Sequence, residues 1–155
     1  MRIDVVMWAK NGALMLPRVL GRIDEVIPHE AVNRKVFIDD HSVDGSVPIA
    51  RDFGWLVSTN DKGGVGAGAN AALRQVTTEC FVSLEQDIAL ARDWWERIPR
   101  YLERKDVAVA QGWRISDHPV VGKIDEYSMD KITEEYSTDG IIVNALCSID
   151  NTIYR

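Results

Sequence analysis

Phe81-Val82-Ser83-Leu84-Glu85-Gln86-Asp87-Ile88 is the stretch from which the fold of this chain follows. Its apolar beginning is too short for a helix and predicts a buried strand that ends in two carboxylates. If the strand stays extended through Asp87, then Glu85 and Asp87 point to the same side. Such acids repel each other, and a hard cation such as Mg²⁺ or Mn²⁺ with phosphate oxygens would relieve the repulsion. On this stretch alone, a solvated turn that carries two acids is an equal alternative.

The composition is that of one globular domain. The chain has 155 residues with 46% hydrophobic and 27% charged residues, enough for a real core. A formal net charge of −6 offers no basic stripe for phosphates, so no nucleic-acid partner is expected. We expect neither a membrane span nor a signal peptide. Cys80 and Cys147 adjoin apolar runs without metal-type pairing, which indicates core positions in a reducing, cytoplasmic compartment.

Strands and helices alternate along the chain. We predict strands at 3–8, 35–38, 55–58, 81–87 and 107–112, and helices at 14–27, 47–53, from the glycines after Lys62 to Val76, and at 94–102. Pro99 is expected to kink or break the last of these. This order predicts an α/β fold with a mostly parallel sheet and helices on both faces. Beyond 113 the acidic stretch 125–135 predicts loop and exposed helix, and 141–147 fits either strand or buried helix.

Three polar segments and one glycine-rich loop lie at or shortly after the carboxyl ends of predicted strands. They are Ala9–Asn11, Asp39-Asp40, Glu85–Asp87 and the loop Lys62–Asn70. Because ligands in open parallel sheets bind outside the carboxyl ends of the strands, this clustering predicts a binding site.

The side chains at these strand ends suit a nucleotide, although each has a structural alternative. Asp39 and Asp40 could accept hydrogen bonds from a base or a ribose, or one of them could cap a helix. Glycines let the backbone approach a ligand closely. Asn70 is expected to hold the loop or to touch the ligand. His41 and His118 are interpreted as surface residues, with an extra metal ligand as the lesser reading of His118.

The order of these motifs resembles family 2 glycosyltransferases with the GT-A fold. The matching features are a strand with Asn11-Gly12, the run Asp39-Asp40-His41-Ser42-Val43-Asp44-Gly45, a glycine-rich loop ending in Asn70, and a strand with acid-x-Asp. The resemblance covers about residues 3–112 and is most specific at 36–45. The tail 150–155 is also similar to a later segment of such enzymes.

The resemblance implies roles for named residues. Trp8, Ala9 and Asn11 would line the nucleotide pocket. Gly64, Gly66 and Asn70 are expected at the same pocket because of their place in the glycine-rich loop, not because of the resemblance. Asp39 and Asp40 would bind base and ribose. Glu85 would contact the ribose and, with Asp87, hold Mg²⁺ or Mn²⁺ on the diphosphate.

The implied reaction is the metal-assisted, inverting transfer of a sugar from a nucleoside-diphosphate-sugar to an acceptor hydroxyl. The acceptor (a glycan, a lipid or a protein), the donor's sugar and base, and the oligomeric state are not specified by these motifs.

The chain departs from the family pattern in three places. Glu85 stands where Asp is usual, and Ala69 stands where Arg often precedes Asn70. In the family, the catalytic base and much of the acceptor site lie further on than Arg155. We therefore expect a single GT-A-like domain over 1–155, with 1–112 as the nucleotide-sugar-binding half and 113–155 as an incomplete start of the acceptor side. Asp150 is the nearest late acid, but nothing around it supports a role as the base.

Two other functions compete with this reading. A dinucleotide (NAD)-binding domain would explain Gly64–Ala69 as G-x-G-x-x-[GA], with Glu85 21 residues after Gly64. Against it, the loop follows the third strand and Asp39-Asp40 is left without a role. A non-catalytic nucleotide-sugar-binding module is the other alternative, which Glu85 and the position of Arg155 favour.

Overall fold

The structure is a computed structural model that describes residues 1–112, 115–138, 141–142 and 152–155. The chain divides into two compact units. The first consists of Met1–Gln111 with Ile149–Arg155, and the second of Gly112–Ser148.

The strands of the described residues, numbered in chain order, are β1 (Ile3–Ala9), β2 (Val32–Asp39), β3 (Leu56–Thr59), β4 (Cys80–Glu85), β5 (Val109–Gln111), β6 (Ser137–Thr138), β7 (Ile141–Ile142) and β8 (Thr152–Tyr154). The helices are α1 (Leu16–Val26), α2 (Ser46–Asp52), α3 (Val65–Leu73), α4 (Trp94–Arg97) and α5 (Pro119–Tyr136). Short 3₁₀ turns occupy His29–Ala31 and Pro99–Glu103.

The first unit is built on one six-stranded sheet of order β3-β2-β1-β4-β8-β5. β1 pairs in parallel with β2 and β4, and β2 with β3. The late strand β8 runs antiparallel between β4 and β5. The predicted mostly parallel α/β sheet is therefore confirmed. Ile153 of β8 is fully buried, and the rings of Phe81 and Tyr154 stack with centroids 4.8 Å apart.

The core lies on both faces of this sheet, as the continuous apolar strands predict. Every residue of β1 is buried. Ile3, Val5 and Met7 belong to the cluster that includes the apolar side of α1. Val6 and Trp8 belong to a second cluster with Ala72 of α3. The alternation follows from the two-residue period of a strand and places α1 and α3 on opposite faces.

The end of β4 differs from the sequence prediction. β4 ends at Glu85, and Gln86 and Asp87 form a turn, so the extension of the strand through Asp87 is wrong. The predicted helix at 94–102 is broken, as Pro99 indicated: α4 ends at Arg97 and a 3₁₀ turn begins at Pro99.

Asp4, near the N-terminal end of β1, connects this strand to two other segments. The residue is fully buried. Its carboxylate accepts hydrogen bonds from Asn33 Nδ2 at 2.8 Å, Thr77 N at 2.6 Å and Thr77 Oγ1 at 2.9 Å. Arg34 Nε lies 3.5 Å from it. The start of β2 and the connection from α3 to β4 are thereby fixed to β1.

In the second unit, α5 precedes the antiparallel pair β6 and β7. His118 Nδ1 accepts hydrogen bonds from Val120 N and Val121 N at the start of α5, which gives this histidine a structural role. The stretch 125–135, expected as loop and exposed helix, lies within α5. Cys147, Asp150 and the rest of 143–151 lie outside the described residues. Among the described helices, none is long and apolar enough to cross a membrane.

Candidate functional site

A cavity of about 230 Å³ opens at the carboxyl ends of β1 and β4, beside the start of α3. Its lining residues are Trp8, Ala9, Lys10, Asp40, Gly64, Val65, Gly68, Glu85, Gln86 and Asp87. Three of them are carboxylates and one is a lysine. A larger cavity of about 360 Å³ in the same unit, around Trp95 and Arg100, includes none of the predicted site residues.

Six of the ten predicted site residues line this cavity, and four do not. Trp8, Ala9, Asp40, Gly64, Glu85 and Asp87 come together from four segments that are far apart in sequence. Asn11, Asp39, Gly66 and Asn70 are outside the lining. The sheet therefore brings six of the ten residues together around one cavity at the strand ends, and their role in binding stays a prediction.

Asp40 is held in place by the glycine-rich loop. Its carboxylate accepts hydrogen bonds from Gly64 N at 3.1 and 3.2 Å and from Asn60 Nδ2 at 2.9 Å. Gly64 has φ +86° and ψ 160°, a conformation that essentially only glycine adopts. The hydrogen bond from Gly64 holds the pKa of Asp40 below its ordinary value, against the effect of burial and with help from Lys10 and Asn60. Asp40 is therefore an ionised acceptor at neutral pH.

Trp8 forms an apolar wall of the cavity. Its side chain belongs to the cluster shared with α3, and only 8% of the surface of the residue is exposed. Gly68 lies against it, since a Cβ at Gly68 would be 3.1 Å from Trp8 Cβ. On the other side, Trp8 is in register with Glu85. Trp8 therefore lies between helix α3 and Glu85, the carboxylate that ends β4.

Glu85 and Asp87 are the two carboxylates at the end of β4 that could serve as ligands of a divalent cation. Glu85 is partly buried at the end of β4, and Asp87 is exposed in the turn. Within the described ranges, no group of three or more His, Cys, Asp or Glu side chains is placed to hold a metal. Mg²⁺ is commonly held by one or two carboxylates together with phosphate oxygens and water. Two carboxylates are the type and number of protein ligands that this arrangement uses.

The loop from β1 to α1 is fixed by side chains from neighbouring segments. Four successive backbone N–H groups donate to side-chain oxygens: Lys10 N to Gln86 Oε1, Asn11 N to Ser42 Oγ, Gly12 N to Ser46 Oγ and Ala13 N to Asp44 Oδ2. In return, Val43 N donates to Asn11 Oδ1. Ser42 and Asp44 thus join two loops, and Asp44 also accepts a hydrogen bond from Ser46 N at the start of α2.

The four predicted residues outside the lining have other surroundings. Asn11, with φ +52°, makes the hydrogen bond to Val43. Asp39 is 7% exposed and accepts a hydrogen bond from Ser42 N at 3.2 Å. Gly66 and Asn70 are exposed residues of α3. Asn11 and Asp39 therefore support the loops behind the cavity.

Four lining residues were not predicted: Lys10, Val65, Gly68 and Gln86. All four lie within the segments that the sequence places at the strand ends, although none of them was named individually. Gln86 lies between the two singled-out acids, and Gly68 belongs to the glycine-rich run. Lys10 belongs to the singled-out segment Ala9–Asn11 but was not named as a site residue; it lies 3.7 Å from Asp40 Oδ2 and is the lysine of the cavity.

Comparisons with known proteins identify the family and the fold. The family model described as Glycosyl transferase family 2 matches residues 4–147. No curated protein sequence matches the chain.

Several solved structures are similar. Mannosyltransferase PcManGT from Pyrobaculum calidifontis is 24% identical with a TM-score of 0.63, over 70% of this chain and 34% of that one. S. aureus TarS 1-349 is 20% identical with a TM-score of 0.62, again over 70% of this chain and 34% of that one. Glucosyl-3-phosphoglycerate synthase from Mycobacterium tuberculosis is 15% identical with a TM-score of 0.67, over 99% of this chain and 56% of that one.

The chain thus spans about a third of the length of the first two relatives and about half of the third. At these identities the likeness shows the fold, which is that of GT-A nucleotide-sugar transferases. The family match extends over nearly the whole chain. The chain therefore belongs to glycosyltransferase family 2.

Proposed function

We propose that this chain binds the donor in an inverting glycosyltransferase that moves a sugar from a nucleoside diphosphate to an acceptor hydroxyl. The observation that carries the proposal is the convergence of Trp8, Asp40, Gly64, Glu85 and Asp87 on one cavity at the strand ends. The family match supports the reaction class. Similar structures were solved with GDP-Man and Mn²⁺, with UDP-GlcNAc, and with UDP and Mn²⁺.

In this proposal an apolar wall of the cavity contacts the nucleoside of the donor, and charged side chains contact its polar groups. Trp8 and Ala9 form the wall for the nucleoside, and the ionised Asp40 accepts a hydrogen bond from its base or ribose. Gly64 lets the backbone approach the ligand, because no Cβ intervenes. Asn11 and Asp39 act by holding the adjoining loops, and Gly66 and Asn70 complete the glycine-rich segment.

Glu85 and Asp87 would hold Mg²⁺ or Mn²⁺, with Glu85 also near the ribose. When bound, the cation stabilises the negative charge that develops on the departing diphosphate. In the transfer, the acceptor oxygen forms a bond to the anomeric carbon as the bond to the diphosphate oxygen breaks, with inversion. The acceptor proton passes to a carboxylate base, for which the cavity gives no assignment.

Other parts of the proposal rest on the sequence alone. The division into a nucleotide-sugar-binding half at 1–112 and an acceptor-side start at 113–155, the cytoplasmic location and the class of acceptor stay predictions.

The test is calorimetric titration of the protein with UDP, GDP, dTDP and NAD, each with and without Mn²⁺. We expect one nucleoside diphosphate to bind with manganese dependence, and Asp87→Ala to remove that dependence. Asp52→Ala, which changes an exposed aspartate on α2, is the matched control and should bind as the wild type does. Binding of NAD without metal, and of no diphosphate, would refute the proposal in favour of a dinucleotide site.

A non-catalytic nucleotide-sugar-binding module is the second candidate. Glu85 favours it, because its longer side chain at the cavity changes the distance to a cation or ribose relative to the Asp that resembling enzymes carry. Incubation of the protein with the donor that binds, followed by measurement of released nucleoside diphosphate, distinguishes the two. Release supports the enzyme, and stable binding without release supports the module.

A further inference from the structure

Gln86 connects the ends of two strands through its side-chain amide. Its Oε1 accepts a hydrogen bond from Lys10 N at 2.8 Å, and its Nε2 donates to Lys10 O at 3.2 Å. Both bonds therefore go to the backbone of a single residue, 76 positions away in sequence. Gln86 itself lines the cavity, between the two carboxylates of the β4 end.

The two hydrogen bonds continue a sheet where its backbone pairing has stopped. The register of β1 with β4 runs from Ile3 opposite Cys80 to Trp8 opposite Glu85. Beyond Glu85 the chain turns, so its peptide groups are no longer available to β1. A carboxamide has the same donor and acceptor as a peptide group, so Gln86 can supply one further rung to Lys10.

Gly12 leaves the space that this arrangement requires. A Cβ at Gly12 would lie 3.0 Å from Gln86 Oε1 and 3.1 Å from Gln86 Cδ. The carboxamide thus fits between the β1 loop and the turn, with its position defined by two hydrogen bonds and by close packing.

We propose that Gln86 is a positioning residue that ties the turn carrying Glu85 and Asp87 to the backbone at Lys10. This tie sets the distance between the two carboxylates and the opposite wall of the cavity. The inference rests on the proposed function for its effect on nucleotide binding. The connection itself is independent of any ligand.

Two measurements on the whole chain test the proposal. Amide hydrogen exchange by NMR reports on Lys10 N–H, whose partner is Gln86 Oε1. Calorimetry with UDP, GDP and dTDP in the presence of Mn²⁺ reports on the cavity. The variants are Gln86→Ala and Gln86→Asn, the second of which keeps the amide but shortens its reach by one methylene. Gln75→Ala, at an exposed glutamine outside the cavity, is the matched control.

For both Gln86 variants we expect the exchange rate of Lys10 N–H to rise by about tenfold and the affinity for the nucleoside diphosphate to fall by about tenfold. The reason is that a turn that is only loosely held places Glu85 and Asp87 less well for binding. Gln75→Ala should change neither. Exchange at Lys10 that is as fast in the wild type as in the variants would overturn the connection. Faster exchange in the variants with unchanged affinity would overturn the positioning role. If the wild type binds none of the three nucleotides, the proposed function fails, and exchange at Lys10 still decides whether Gln86 makes the connection.

Discussion

Gly68 of α3 lies so close to Trp8 of β1 that a Cβ at position 68 would be 3.1 Å from Trp8 Cβ and 3.3 Å from its indole carbons. Trp8 Cβ is fixed by the backbone of a fully buried strand, so it cannot move aside as the end of a flexible side chain would. The close approach of helix and strand at the wall of the cavity therefore requires a residue without a side chain.

Gly68→Ala is expected to destabilise the protein by about 1–2 kcal/mol, because overpacking outweighs the better helix propensity of alanine. Gly66→Ala is the control in the same helix, since a Cβ there meets nothing within 4 Å. We expect that change to be neutral or to stabilise by up to about 1 kcal/mol. Urea unfolding followed by circular dichroism measures both, and equal effects would refute the close packing.

Asp4→Asn should cost about 2–4 kcal/mol of unfolding free energy, because an amide turns its N–H₂ toward groups that are themselves donors. The donors concerned are Asn33 Nδ2 and the N–H and hydroxyl of Thr77. Asp52→Asn, at an exposed position, should stay within about 0.5 kcal/mol of the wild type. Urea unfolding at pH 7 is the measurement, and a small effect at Asp4 would show that the network is not maintained in solution.

Asp4 should also contribute to the pH dependence of stability. Burial alone raises the pKa of Asp4, but the hydrogen bonds from Asn33 and Thr77 and the charge of Arg34 outweigh it and lower the pKa. A carboxyl whose pKa is lower folded than unfolded stabilises the protein above the unfolded value of about 3.9, and this contribution disappears as the pH falls through the folded value. Between about pH 5 and about pH 2.5, a range that brackets the unfolded pKa, the loss of stability should be smaller in Asp4→Asn than in the wild type. Urea unfolding across that range is the measurement.

Asp87→Asn is expected to weaken nucleoside diphosphate binding in Mn²⁺ by about tenfold or more, and to leave binding without metal unchanged, because it removes a charged oxygen ligand but keeps the shape. Glu85→Gln should weaken both, since Glu85 is proposed to contact the ribose as well. Calorimetry with and without Mn²⁺ separates the two effects. Identical behaviour of the two variants would contradict their different roles.

Ser46→Ala should destabilise by about 1–3 kcal/mol, because the buried Gly12 N–H then loses its acceptor. Ser46 is fully buried, and its Oγ accepts from Gly12 N at 2.8 Å. Ser42→Ala removes the matching acceptor from the exposed Asn11 N–H, which water can replace, so its cost should stay below about 1 kcal/mol. Thermal unfolding of both variants ranks them, and a larger effect at Ser42 would contradict the prediction.

The sequence predicted the strands and the position of the site because both depend on local patterns. Apolar runs marked β1, β2 and β4, and the polar groups after them had to meet at one edge of a parallel sheet. The roles of Asn11, Asp39 and Ser42 could not be foreseen. Asn11 and Ser42 act through hydrogen bonds between loops that lie about 30 residues apart, and Asp39 acts through a local turn to Ser42 N. β8 has only three residues, too few for a periodic signal, and its place follows from pairing alone.

The insertion of β8 has a consequence for the order of folding. β5 ends at Gln111, yet within the described residues it pairs only with β8, which begins at Thr152. During synthesis from the N-terminus, β1 to β4 can pair as soon as they emerge, whereas β5 has to wait for about forty more residues. Until then β4 presents an open edge to other chains. Nascent chains halted before residue 152 should therefore aggregate more readily than those released after it.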